Sequence, residues 1–193
     1  SLMRRGIQKE SIRKFCLGFG LTRHEVAAPI EILYSENRRM LDSVNRYFFI
    51  SEPVKIRIEN TQEVTVAIPL HPTLEKGNRI LSSGKEFYIE SRDYQRIKKG
   101  GIFRLMHLFN FKFDKKFKFV SKELDDKLKA APIHWLPADN EKEVVKASVL
   151  IGEGKFLHGL AESSIKTLKP GEIVQFERFG FCRLDSIIDN SFK

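Results

Sequence analysis

Pro53-Val54-Lys55-Ile56-Arg57-Ile58-Glu59-Asn60 is the stretch at which the hydrophobic period of the chain changes. Val54, Ile56 and Ile58 recur at every second residue and Val64, Val66 and Ile68 repeat the pattern, the spacing of strands with one buried face. Upstream the spacing is helical. Ile12, Phe15, Cys16 and Phe19 fall on one face of a short helix, and Gly20 stands where a left-handed C-terminal cap belongs. Thr22-Arg23-His24-Glu25 then has capping-box spacing, ahead of a second helical stripe made by Val26, Ile30, Leu33, Leu41, Val44 and Phe48. Pro29 falls near its first turn, where a missing N–H costs little. A boundary is expected at residues 50–53, with a helical unit over 1–52 and a β region over 53–193.

Within the β region, turn signals at Glu59-Asn60, Ser83-Gly84, Gly100-Gly101, Gly152-Glu153-Gly154 and Lys169-Pro170-Gly171 separate short apolar runs. These runs are Phe87–Ile89, Phe103–Leu105, Val145–Ile151 and Ile173–Phe181, and Asp93–Lys99 and Ser121–Lys129 read as brief helices or turns between them. Many short strands with regular turns favour barrels or sandwiches, so the fold class is α+β, with the division inside the β region left open. No internal repeat or low-complexity tract is present.

A chain of 193 residues with 41% hydrophobic content and 16 phenylalanines can bury a sizeable core. Mean hydropathy is −0.30, and no apolar run approaches the roughly 18 residues that span a bilayer. No secretory signal opens the chain, and Cys16 and Cys182 lie far apart in apolar patterns, so a cytosolic, reducing compartment is expected. The 34 basic against 25 acidic residues leave a formal charge of +9, which favours a polyanionic partner without specifying one.

Chemistry of other kinds finds no support. The cysteines lack a CxxC partner, and His24, His71, His107, His134 and His158 show neither HxxxH nor HExxH spacing, so no metal site is expected. No phosphate-cradling glycine loop and no Gly-x-Ser-x-Gly elbow occurs, and no catalytic residue is assigned.

Four stretches in order carry a resemblance: Leu2-Met3-Arg4-Arg5-Gly6-Ile7, His71-Pro72 with Gly77-Asn78-Arg79, Ile133-His134-Trp135, and Gly171 through Asp185 with its core Val174-Gln175-Phe176-Glu177-Arg178-Phe179-Gly180-Phe181. Together they resemble the C-terminal region of class I glutamyl- and glutaminyl-tRNA synthetases, of the archaeal glutamyl type. The resemblance implies a helical stem-contact unit at 1–52 followed by mainly antiparallel tandem anticodon-binding β-barrels at 53–193. It implies a cytoplasmic tRNA-binding protein whose partner is glutamate tRNA, with glutamine tRNA as the alternative, and no membrane or metal. The parent enzyme would be an ATP-dependent glutamate–tRNA ligase, with ATP and Mg in a catalytic part that this chain lacks, since neither a His-x-Gly-His element nor a Lys-Met-Ser-Lys loop is present. The region would then be inactive alone and bind no cofactor. Two rivals stand beside this reading: the same region of a glutaminyl enzyme, and a free-standing RNA-binding barrel protein that selects no tRNA.

The resemblance also implies residue roles. Arg79 would reach the first anticodon base, Gln175 and Arg178 would bond the second, Lys127 and Lys129 would lie near the third, and Arg4 and Arg5 would touch the inner bend of the tRNA. Strict strand alternation puts Gln175 and Arg178 on opposite faces, so a common pocket requires a bend, which Gly180 would tolerate. Trp135 has two open readings, a stacking surface for an RNA base and a core position between Ile133 and Leu136. Phe109, Phe111, Phe113, Phe117 and Phe119 alternate with Lys112, Lys116 and Lys118, which suits either an RNA-tracking wall or a hairpin that buries its rings and keeps its lysines in water.

Overall fold

Residues 46–51 serve two hydrophobic cores with alternate side chains. Phe48 and Ile50 enter one, and Tyr47 and Phe49 enter the other. The computed structural model describes residues 2, 6–20, 29–152, 154–188 and 191–193. Arg4, Arg5, the capping-box stretch Thr22–Glu25 and Val26 lie outside the described residues.

The chain begins with helices α1 (Lys9–Gly18) and α2 (Ile30–Met40). Short strands β1 (Arg46–Tyr47) and β2 (Phe49–Ser51) lead into β3 (Pro53–Glu59), β4 (Val64–Pro69), β5 (Asn78–Ser83) and β6 (Glu86–Glu90). Helix α3 (Ser91–Lys98) precedes β7 (Ile102–Leu105), β8 (Asn110–Asp114), β9 (Lys116–Ser121), β10 (Ala131–Ile133) and β11 (Leu136–Pro137). The remainder comprises β12 (Val144–Leu150), β13 (Phe156–Glu162), β14 (Ile173–Phe176), β15 (Gly180–Arg183), β16 (Ile187–Ile188) and β17 (Ser191–Phe192).

Gly20 takes φ +63° just past α1, and its N–H bonds the Leu17 carbonyl at 3.1 Å, as a left-handed cap should. Helix α2 stops at Met40 and does not run on to Phe48 as the apolar stripe suggested. Its last three apolar members serve other ends: Leu41 is the C-cap, Val44 closes a turn onto Leu41, and Phe48 enters the β core. The helices are tied by Asn37, which accepts from the Gln8 N–H at 2.8 Å and from the Ser11 hydroxyl at 3.1 Å while donating to the Gly6 carbonyl at 3.2 Å.

The larger core is built on a mixed sheet of order β10-β7-β8-β9-β3-β6-β11, with the hairpin β4-β5 packed against it. The smaller core lies between the sheet β16-β17-β12-β13-β2 and the sheet β1-β14-β15. The architecture is α+β and most ladders are antiparallel; among the described residues the sheets are open ladders. Phe109, Phe111 and Phe117 are buried in the larger core with Phe113 and Phe119 against it, so the alternating segment is a hairpin whose rings fill the interior. Gly159 on β13 pairs with Ser51 and lies so close to the Ile50 carbonyl that a Cβ there would collide with backbone. The two cores therefore meet tightly along β2.

Candidate nucleic-acid interface

The stretch Ile173–Phe181 is not one strand. β14 and β15 form a hairpin whose turn contains Glu177, Arg178 and Phe179, with Arg178 at φ +61°. A left-handed backbone costs an arginine about 1–2 kcal/mol, and contacts of both charged turn residues with the other β unit hold it in place.

Arg178 lies end-on against Asp93 in the first turn of α3. Its Nη1 donates to Oδ2 at 2.6 Å and its Nη2 to Oδ1 at 3.0 Å. Nη1 also donates to Nδ1 of His134 at 2.9 Å, which requires that nitrogen to be the unprotonated acceptor. Arg96 adds a bond to Asp93 Oδ1 at 2.8 Å. Burial works to raise the Asp93 carboxyl, but the bonds and charge of Arg178, with a further bond from Arg96, hold it below its ordinary value. Burial pushes the His134 imidazole down, and the neighbouring Arg178 cation adds to that. A neutral His134 is what the acceptor role needs.

Glu177 reaches toward β5 instead, accepting from Nη2 of Arg79 at 2.7 Å. Nε of Arg79 sits between the two oxygens of Glu162, 2.9 Å from Oε1 and 3.1 Å from Oε2 with the N–H directed at the latter, and Nη1 donates to the Pro69 carbonyl at 2.5 Å. The guanidinium also stacks 5.0 Å from the Phe48 ring centroid and 5.9 Å from that of Tyr47, one ring from each core. Burial drives the Glu162 carboxyl up to about 7 against the pull of Arg79. The Arg79 side chain is 1% exposed, so in this structure it has no surface to offer a first anticodon base. In the free chain it is an ion-paired pin between the two β units.

Parallel pairing of β1 with β14 puts Arg46 opposite Gln175. Arg46 Nε and Gln175 Oε1 are both buried, and neither has a hydrogen-bond partner among the described residues. Leaving such groups unmade costs about 1–3 kcal/mol each, so these are a buried donor and a buried acceptor that the described residues do not satisfy. Arg46 escaped the sequence reading because its only signal is long-range: nothing local ties Asn45-Arg46-Tyr47 to a hairpin near the other end of the chain.

The remaining candidates are scattered. Lys127 and Lys129 are exposed on the loop that holds a short 3-10 turn, with Lys129 in left-handed backbone. Trp135 is 0% exposed, donates from Nε1 to the Met106 carbonyl at 2.9 Å and packs edge-on against Phe87, so in the free chain it is a core side chain. On the β8–β9 hairpin, Lys116 pairs with Glu59 at 2.7 Å and Lys118 with Asp114 at 3.1 Å, which neutralises much of the expected lysine wall. His71 bonds the Asp42 carbonyl at 2.7 Å and accepts from the Thr73 and Leu74 N–H groups, tying the loop before β5 to the end of the helical unit. Among the described residues no three His, Cys, Asp or Glu side chains come together as a metal site would need, and no helix is long and apolar enough to cross a membrane.

Residues 44–131 match the family described as tRNA synthetases class I (E and Q), anti-codon binding domain, and residues 132–185 match a second domain model of the same description. The chain belongs to this family. It is 40% identical to the glutamate–tRNA ligase of Pyrococcus furiosus over 97% of its own length, and 34% identical to that of Methanococcoides burtonii over 98%. The corresponding protein of Archaeoglobus fulgidus is 40% identical over 95%. The chain spans 34%, 33% and 32% of these relatives, about a third of each. The boundary between the two family matches, 131/132, falls inside β10, just before His134 of the Arg178 cluster. Both clusters that pin the β14–β15 hairpin thus join one match to the other.

Proposed function

We propose that this chain selects tRNA by its anticodon, as the C-terminal part of a glutamate–tRNA ligase of archaeal type acting in the cytoplasm. The observation that carries the reading is the open pair formed by Arg46 Nε and Gln175 Oε1, set beside the pinned hairpin of a family that reads anticodons. Glutamate and glutamine anticodons share uridine at the second position, and a uracil edge offers an N–H flanked by carbonyl oxygens. Both atoms are buried in the free chain, so their side chains would turn outward on binding: Gln175 Oε1 would then accept from the N–H, Arg46 Nε would donate to a neighbouring oxygen, and Arg178 would add donors from the turn. Lys127 and Lys129 would approach the third base from their exposed loop, which is where glutamate and glutamine anticodons differ. Arg4 and Arg5 would meet the inner bend of the tRNA.

In this reading residues 1–52 are the stem-contact unit and residues 53–193 form two anticodon-binding barrels, the strand segment 46–51 being shared by their cores. The residues present do not suit nucleotide activation, so ATP and Mg2+ belong to the other two-thirds of the parent. Binding energy from anticodon contacts would be expressed there as a better-placed acceptor end.

The test is binding of the chain to transcripts of glutamate tRNA, glutamine tRNA and a glutamate variant with the second anticodon base changed, at one moderate salt concentration. Both natural tRNAs should bind more tightly than the variant, and glutamate tRNA most tightly. Gln175→Ala should lose about 1–3 kcal/mol of that preference without loss of folding stability, because it removes an acceptor that is already unmade in the free protein. Equal binding of all three transcripts would reduce the chain to a charge-driven RNA binder.

A further inference from the structure

The Arg178 guanidinium has five N–H groups, and the contacts with Asp93 and His134 engage three of them. Asp93 occupies the end of the fork, one hydrogen from each Nη, and His134 takes the second hydrogen of Nη1. What is left is one complete edge, the Nε–H and the second hydrogen of Nη2, two parallel donors with no partner among the described residues. The side chain is 29% exposed, whereas that of Asp93 is 1% exposed and His134 is buried. The clamp is therefore inside, while the arginine that carries the free edge is partly accessible.

We propose that Asp93 and His134 are positioning residues that fix Arg178 so that its Nε/Nη2 edge is a preset two-donor receptor for a pair of oxygen acceptors on the nucleotide at the second anticodon position. The inference rests on the anticodon-reading function above and adds the residues that aim the reader. A free arginine must give up rotamer freedom to make a bidentate contact, whereas a guanidinium already held at its end by a buried carboxylate has lost most of that freedom on folding. Arg96, on the same carboxylate, limits Asp93 in turn. Lysine cannot replace the arrangement, since one ammonium cannot both pair with Asp93 and present two parallel donors.

The experiment measures affinity of the full chain for glutamate tRNA and for the second-base variant, using Arg178→Ala, Asp93→Asn, Arg178→Lys and Gln175→Ala, with thermal melting to show that each is folded. Arg178→Ala, Asp93→Asn and Arg178→Lys should each weaken glutamate tRNA binding by about tenfold. Where the acceptor pair lies on the base, the ratio between the two transcripts falls as well; where it lies on the backbone phosphate, both affinities fall alike. If Asp93→Asn does not fold, Arg178→Lys decides, because it keeps the charge facing Asp93 and removes only the edge. Folded Asp93→Asn or Arg178→Lys chains that bind like the unsubstituted protein, while Arg178→Ala and Gln175→Ala are impaired, overturn the positioning role and leave anticodon reading standing. Full binding and full discrimination by both Arg178→Ala and Gln175→Ala overturn the anticodon reading itself.

Discussion

Two arginines join the two β units, and they differ in what they leave unmade. Arg79 is enclosed: Glu162, Glu177 and the Pro69 carbonyl take donors from each of its nitrogens, and a ring from each core covers its faces. Arg178 is gripped at one end only and keeps an edge at the surface. Both come from sequence positions that resemble anticodon-contacting residues of the family, so residue type and motif do not separate the enclosed arginine from the one with a free edge. Nor does the tally of engaged N–H groups, three in each; the difference lies in which nitrogens are engaged, all three in Arg79 but not Nε in Arg178, and in burial, 1% against 29% exposed. A buried guanidinium with its nitrogens bonded fixes geometry, and one with a free pair of parallel donors at the surface can recognise a ligand.

The sharpest way to break this contrast is to remove Arg79. Arg79→Ala leaves Glu162 and Glu177 facing each other without a cation, Glu162 fully buried, and stranding a buried charge of this kind costs about 3–5 kcal/mol. Chemical denaturation should show that loss, and every RNA contact should weaken together as the hairpin comes free of β5. Arg178→Ala should cost much less stability, since its site is partly exposed and Arg96 remains on Asp93. Similar losses for the two substitutions would mean that the distinction between pin and reader is wrong.

Acid sharpens the comparison, because the two clusters respond to pH with opposite sign. Glu162 has its folded pKa raised from 4.5 to about 7, so between those values the folded state holds a proton that the unfolded state has released. Its contribution to stability therefore falls as pH rises from 4.5 to about 7. His134 has its folded pKa lowered from 6.5, so below 6.5 the unfolded state takes up a proton first, and stability from this site falls as pH drops. Glu162→Gln should leave a profile that declines on acidification below 6.5, and His134→Asn one that declines as pH rises toward 7. Thermal melts across pH 4.5 to 7 read both. Parallel profiles for the two variants would show that one of these groups does not titrate as its burial requires.

The sequence disclosed the elements better than it disclosed their joints. The strand opening at Pro53, the hairpin phenylalanines and the cap at Gly20 are local signals that appear where the spacing put them, but strands already begin at Arg46, inside the stretch read as helical. Trp135 lay between two apolar residues and is core for that reason. The joints are invisible locally because they depend on pairs far apart in the chain: Arg79 with Glu162 and Glu177, Asp93 with Arg178, Arg46 opposite Gln175. Reading Glu177-Arg178 as strand residues hid them further, since a strand sends successive side chains to opposite faces, whereas the turn sends both to the other β unit. A bend was expected there from the need to bring Gln175 and Arg178 together. The structure supplies a tighter one, which leaves Gln175 facing β1 and Arg178 gripped by α3.

The smallest effects belong to the exposed lysines, and they separate charge from recognition. Lys127 and Lys129 stand in water on their loop, whereas Lys116 and Lys118 already have carboxylate partners. A lysine that contacts phosphate releases about one counterion, so Lys127→Ala or Lys129→Ala should lower the slope of log affinity against log salt by about 0.7–0.9. The loss should be equal for natural and second-base-variant tRNA, because a point charge on a flexible stem carries little base information. Lys116→Ala should change the slope less, since exposing Glu59 offsets part of any gain that Lys116 had provided. A change in the second-base ratio on replacing Lys127 or Lys129 would place recognition of that base on the loop, and the free edge of Arg178 would lose its claim to be the reader.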